Sequence, residues 1–186
     1  MAMAEVYLRR LSRWQAEQQR ETVADAYVMA YGSGGDGDQQ DRRVFLRGFA
    51  ADVQRAGFDM VVADSAGLVG CAYGYRLDRT GTEWSGFAGE QRPRTVEFTA
   101  SSRVFALAEV MVLPAHRRRG IATLLVERLL SRPSTDLVVA SVDRRLGTGP
   151  REMLRAWGWK ELGGAEAAAV SDGTGGMEAW VRGPVR

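Results

Sequence analysis

The sequence is nearly empty of the residues that build metal and disulfide chemistry. Its 186 residues include one cysteine, Cys71, and one histidine, His116. A lone cysteine excludes a disulfide framework and a cysteine zinc site. A lone histidine excludes a histidine-cluster metal site and counts against a Ser-His-Asp triad. Lysine is as scarce: of 25 basic residues only Lys160 is one, an arginine bias that reads as genome composition. An excess of either charge is also missing. The formal net charge is +2, so neither nucleic acid nor a membrane surface is called for as a partner. No apolar run approaches the roughly 20 residues that cross a bilayer. The opening "MAMAEVYLRRLSRW" has no apolar centre of the secretory kind. The expected setting is the cytoplasm.

What is present is ordinary globular material, 45% hydrophobic and 26% charged, in a length that suits one domain. Residues 5–11 read as a strand. Ser12 stands three residues before Gln15, a capping box opening a helix over 13–31 with Val23, Ala26, Tyr27 and Ala30 on one face. "GSGGDGD" at 32–38 breaks it. A second amphipathic helix is expected at 41–56, with Phe45, Phe49, Val53 and Ala56 at helical spacing. Residues 58–77 read as a hairpin turning at Ser65-Ala66-Gly67. An irregular connection follows from Asp78 to Arg103, of a length that is more often functional than structural. A strand at 104–114, a helix at 120–131 and a continuous apolar strand at 136–142 come next, the last with the look of a parallel strand covered on both faces. A helix at 149–157 and strands at 159–163 and 177–182 close the chain, with "SDGTGG" as a turn before the last. The expected fold class is therefore α/β (α+β), a mixed central sheet of about seven strands with helices on both faces. A single domain has its core over 5–183.

"VLPAHRRRGIATLLVERLL", residues 112–130, places three arginines and a glycine where a helix begins. A helix start offers unbonded N–H groups and the positive end of the helix dipole, which suits phosphate. Glycine lets the backbone approach a diphosphate, and arginine adds charge-assisted contacts. The glycine spacing is neither that of a P-loop nor that of the dinucleotide fingerprint.

This motif resembles the acyl-CoA signature of the GNAT superfamily of N-acetyltransferases, Arg/Gln-x-x-Gly-x-Gly/Ala, with Arg117, Gly120 and Ala122 in the defining positions. "LRAWGWKELG", 154–163, resembles the C-terminal signature of the same family. The resemblance implies acetyl-CoA as co-substrate, no metal, and transfer to a primary amine within a ternary complex. The backbone of Val110, Met111 and Val112 would pair with pantetheine, and Arg117, Arg118, Arg119, Gly120, Ile121, Ala122 and Thr123 would hold the diphosphate. An N–H near Met111 or Val112 would serve as oxyanion donor. Glu109, a lone carboxylate in an apolar strand, is the candidate base, its pKa raised by burial. Glu83 and Glu97 are weaker candidates.

The family often has a tyrosine acid four residues before the C-terminal glycine. Here that position is Leu154, and the asparagine often found seven residues earlier maps to Gly147. Tyr73 or Tyr75 would have to stand in, or the thiolate leaves unassisted. Cys71 reads as a small buried hydrophobe, and His116 as exposed. Trp84 and Phe87 would line an acceptor pocket, shield the thioester or make a subunit contact. The expected acceptor is a small-molecule amine, and the resemblance admits a homodimer. The competing readings are a non-catalytic acyl-CoA-binding module and an acetyltransferase of protein N-termini or lysines.

Overall fold

The computed structural model describes residues 5–77, 104–132, 137–143, 147–164 and 177–183. The elements run β1 (Tyr7–Leu11), α1 (Arg13–Gln18), α2 (Arg20–Tyr31), α3 (Asp38–Val53), β2 (Asp59–Asp64), β3 (Leu68–Arg76) and β4 (Val104–Val112). A single 3₁₀ turn (Pro114–His116) leads into α4 (Ile121–Leu130), followed by β5 (Leu137–Asp143), α5 (Gly149–Ala156), β6 (Lys160–Gly164) and β7 (Met177–Arg182). The strands form a seven-stranded mixed sheet in the order β1-β2-β3-β4-β5-β7-β6. The β4–β5 ladder is parallel, whereas β1–β2, β2–β3, β5–β7 and β6–β7 are antiparallel. No helix among the described residues is long and apolar enough to cross a membrane.

The helix expected over 13–31 is two helices. Ser12 and Gln15 make both halves of the expected capping box, Ser12 Oγ accepting from Gln15 N–H at 3.2 Å and Gln15 Oε1 from Ser12 N–H at 2.8 Å. The helix then breaks at Gln19 (φ −95°, ψ 7°) and restarts at Arg20. Helical propensity favours neither residue as a breaker. Ala16 in α1 and Val23 in α2 are both fully buried, as two positions one heptad apart would be in an unbroken helix, so the structure gives no packing reason for the break.

The chain forms two compact units. One is Met1–Tyr75 with Ala108–Arg132, the other Arg76–Leu107 with Pro133–Arg186. In the first, α1, α2 and α3 bury Ala16, Val23, Phe45, Phe49 and Val53 against Met60, Val62, Cys71, Tyr73 and Met111. Alternation along β2 sends Val61 and Ala63 to the opposite face, and α4 packs on β2. Gly70 has no room for a side chain: a Cβ there would lie 2.8 Å from the Met111 carbonyl oxygen and 3.3 Å from Leu125. The close approach fixes β3 beside the end of β4.

In the second unit β5 is bonded to both β4 and β7, pairing Val104–Leu107 with Leu137–Ala140 on one side. Trp159, Trp180 and Leu154 are buried, and Arg151 meets Glu178 of β7 at 2.7 Å. Helix α5 ends on its own backbone. Gly158 takes the left-handed conformation (φ 79°), its N–H reaches Arg155 O at 2.9 Å, and Trp159 N–H reaches Leu154 O at 3.0 Å.

Candidate functional site

Glu109 sits mid-way along β4, where the burial of the strand loosens: Ala108 is exposed and Glu109 and Val110 are half-buried between fully buried ends. The hydrogen bonds of β4 explain this. Leu113 N–H bonds Val69 O, and Leu77 N–H bonds Val104 O. Between those bonds β4 has one residue more than β3, which marks a bulge in β4. Bulges re-aim side chains, and here the bulged stretch includes the one carboxylate of the strand.

Glu109 Oε1 accepts from the Tyr31 hydroxyl at 3.1 Å and from its own neighbour's Val110 N–H at 3.1 Å. The Tyr31 hydroxyl also lies 2.9 Å from Val110 O. Loss of water around the carboxyl outweighs both hydrogen bonds, so its pKa is pushed up to about 7. That is the operating range of a general base. Burial of the hydroxyl and then the Glu109 charge hold Tyr31 far above the usual phenol range, although 41% of the residue remains open to solvent. Tyr31 escaped the sequence reading because its partner is far away in the chain; its only local signal is its place as the last residue of α2, before Gly32.

The turn after β4 has an unusual backbone. Arg117 is extended (φ −67°, ψ 163°), Arg118 is left-handed (φ 62°) and Gly120 is left-handed (φ 75°). A left-handed arginine costs about 1–2 kcal/mol, the kind of strain that collects at functional sites. Gly120 is the N-cap of α4 and brings no side chain to cap it, and no acidic residue stands in the first turn. The helix ladder includes Leu124 N–H to Gly120 O at 3.1 Å, and the amides of Ile121 and Ala122 stand ahead of it in the first turn. This donor set fits a diphosphate.

The three arginines of the turn are not equivalent. Arg117 turns inward, its Nε donating to Val112 O at 3.0 Å and its Nη2 to Ala30 O at 2.6 Å. It therefore satisfies a terminal carbonyl of α2, where the helix dipole favours a cation. All three residues are exposed, so it is these two hydrogen bonds to backbone carbonyls, not burial, that set Arg117 apart from Arg118 and Arg119. On β4, Leu113 N–H points to β3, so alternation turns Met111 the same way, and the Met111 carbonyl indeed faces Gly70. Of the two amides expected as oxyanion donors, Val112 N–H is the one turned away from β3.

The remaining candidates are placed as follows. Tyr73 is buried edge-on against Phe49 (5.1 Å) and beside Phe58 (5.9 Å). Burial, then the Glu109 charge, raises its pKa well above the ordinary value. Tyr75 lies under the Arg55 guanidinium, 4.3 Å from the ring centre. Cys71 is fully buried, and burial followed by the Glu109 charge pushes its thiol up. His116 is half-buried rather than exposed, because the turn folds its Nδ1 inward. Leu154 is buried in α5, and Gly147 is left-handed (φ 75°). Glu83, Glu97, Trp84, Phe87 and the "SDGTGG" turn lie outside the described residues. No group of three or more His, Cys, Asp or Glu able to hold a metal occurs among the described residues.

No curated protein matches the sequence. Solved structures similar to it include YncA from Salmonella typhimurium with its cofactor acetyl-CoA, at 16% identity, 98% of this chain, 95% of that one and a TM-score of 0.59. NAA60 from Arabidopsis thaliana in complex with acetyl-CoA is 14% identical over 96% of this chain and 98% of that one, with a TM-score of 0.60. The diaminobutyrate acetyltransferase EctA from Paenibacillus lautus, in complex with L-2,4-diaminobutyric acid and coenzyme A, is 16% identical over 98% and 96%, with a TM-score of 0.55. At such identities the likeness is one of fold. The model of the Acetyltransferase (GNAT) family matches residues 18–133, from the end of α1 past the whole of α4, and on that match the chain belongs to the GNAT acetyltransferase family.

Proposed function

We propose that the chain is a single-domain, acetyl-CoA-dependent N-acetyltransferase that modifies a primary amine of a small molecule by direct attack in a ternary complex. The observation that carries this reading is Glu109, a carboxylate on a bulged strand whose pKa lies at about 7. Near neutral pH such a group is partly ionised and able to take a proton from an ammonium. Acetyl-CoA, when bound, supplies the activated acetyl group. Its diphosphate would rest on the amides of Ile121, Ala122 and Thr123 and on Arg118 and Arg119, while the backbone of Val110–Val112 would run beside its pantetheine. Val112 N–H would donate to the developing oxyanion.

With leucine at position 154, the donor to the departing thiolate would be Tyr73 or Tyr75, or none. A coenzyme A thiol is acidic enough to leave unaided. The diamino acid bound by EctA supports a small amine as acceptor. Leu154 and Gly147 favour the second reading, a binding module without turnover.

Calorimetric titration with acetyl-CoA, alongside CoA lacking its 3′-phosphate, tests the donor site. Release of free thiol with a panel of amines then separates enzyme from binder. Micromolar binding without thiol release for any amine would make the chain a binding module, and no binding would overturn both readings.

A further inference from the structure

The hydroxyl of Tyr31 has two acceptors in reach, Glu109 Oε1 at 3.1 Å and Val110 O at 2.9 Å. It carries one proton, so it can serve only one of them at a time. We propose that Tyr31 is a positioning residue for Glu109, its hydroxyl turning between Glu109 Oε1 and the Val110 carbonyl as the carboxyl loses and gains its proton. The inference rests on the reading of Glu109 as the base and deepens it.

The geometry sets out both states. With Glu109 ionised, Tyr31 O–H donates to Oε1 alongside Val110 N–H, and the carboxylate is fixed with its second oxygen left to face an acceptor. When the ammonium N–H bond breaks, the proton and no electrons pass to the Glu109 carboxylate, and the nitrogen keeps its pair. Tyr31 O–H then swings to Val110 O, and once the carboxyl turns to bring its new proton to the oxygen beside the phenol, the tyrosine oxygen accepts from the carboxylic acid. Tyrosine neither gains nor loses a proton, as its raised phenol pKa requires. Neither state leaves a buried donor unpaired, which would otherwise cost about 1–3 kcal/mol.

The surroundings hold no competitor for this role among the described residues. The groups that act on the carboxyl are Tyr31 from α2 and the Val110 amide from β4 itself. Cys71 and Tyr73 of β3 feel the Glu109 charge as neutral groups. Asp52 of α3 acts on Tyr73, and Tyr27 acts on Tyr31. No cation is among the groups that set the Glu109 pKa. The backbone anchors the device as well: Arg117 ties Ala30 O, the carbonyl just before Tyr31, to the end of β4. The tyrosine ring is held by its edge contact with Tyr27 at 5.1 Å, so Tyr31→Phe removes the hydroxyl and keeps the packing.

The test is a carboxyl ¹³C NMR titration of Glu109 in the wild type and in Tyr31→Phe, with the signal assigned by its loss in Glu109→Gln. Wild type should titrate near 7, and the midpoint should move upward in Tyr31→Phe, because a hydrogen bond that favours the ionised form has gone. An unmoved or lowered midpoint overturns the proposal, whatever the protein catalyses. In the thiol-release assay Tyr31→Phe should lower kcat about tenfold at neutral pH, leave KM for acetyl-CoA unchanged and shift the rising limb of the pH profile upward with the NMR midpoint. Full activity in Tyr31→Phe together with a dead Glu109→Gln removes Tyr31 and keeps the base. Full activity in both removes the base reading itself.

Discussion

Two glutamates on the strands of this sheet, one in each unit, have opposite surroundings. Glu178 of β7 is buried and meets a guanidinium, Arg151, at 2.7 Å. Glu109 of β4 meets a phenol and a backbone amide. An ion pair of this kind makes a carboxylate part of the scaffold. A neutral hydrogen-bonding shell leaves the carboxylate costly to ionise and therefore able to exchange its proton near neutrality. Both are acidic residues in strands, and among the described residues it is the partner, a guanidinium for Glu178 and none for Glu109, that separates the candidate base from the structural carboxylate.

The contrast can be broken by matched amide substitutions. Glu109→Gln should lower kcat about 10²–10³-fold, whereas Glu178→Gln should leave kcat within about twofold, both read by thiol release. Equal effects would mean the two sites do not differ in kind. Stability should move the other way. Glu178→Gln strands Arg151 and should cost about 2–3 kcal/mol by urea denaturation.

Glu109→Gln should instead stabilise the protein, and only at higher pH. The folded pKa of Glu109 lies at about 7, above the ordinary carboxyl value of 4.5. Its contribution is therefore intact below about 4.5 and lost as the pH rises through 7. At pH 8 the variant should exceed the wild type by roughly 1–2 kcal/mol, the half-exposed carboxyl being partly screened, and the gap should close towards pH 5. A gap that does not depend on pH would show that the carboxyl is not strained by its burial.

A further comparison concerns the arginine turn. Arg119→Ala should weaken acetyl-CoA binding by about 1–3 kcal/mol without changing the melting temperature. Arg117→Ala should lower stability through the freed Ala30 and Val112 carbonyls, by about 1–2 kcal/mol. Identical behaviour of the two variants in calorimetry and melting would erase the distinction between an outward and an inward arginine.

The element order of the chain, from β1 to β7, was legible because apolar periodicity, the Ser12–Gln15 cap and the glycine breaks are local signals. The turn from Arg117 to Gly120 was legible for the same reason. The break at Gln19 was not, since no proline, glycine or other local breaker marks it. Glu109 stood out as a charge in an apolar strand. Its partner Tyr31 did not, because only the folded chain brings α2 to β4. The inward turn of Arg117 was hidden likewise: three adjacent arginines look alike until one finds the carbonyls of Ala30 and Val112. The sidedness of the Met111 and Val112 amides depended on strand register, which spacing alone does not give.

The distribution of tryptophan has an optical consequence. Among the described residues, the buried indoles Trp159 and Trp180 belong to the second unit, while Trp14 in the first is 68% exposed. Of the emission of these described indoles, the blue-shifted part therefore originates in the strands around β7, and its red shift in denaturant follows the loss of that unit. Glu109, Tyr31 and the arginine turn lie in the other unit, whose buried aromatic residues are Phe45, Phe49 and Tyr73. Blue-shifted fluorescence would thus follow the scaffold of β5–β7, and near-ultraviolet dichroism of the tyrosines would be the spectroscopic window on the half that holds the candidate site.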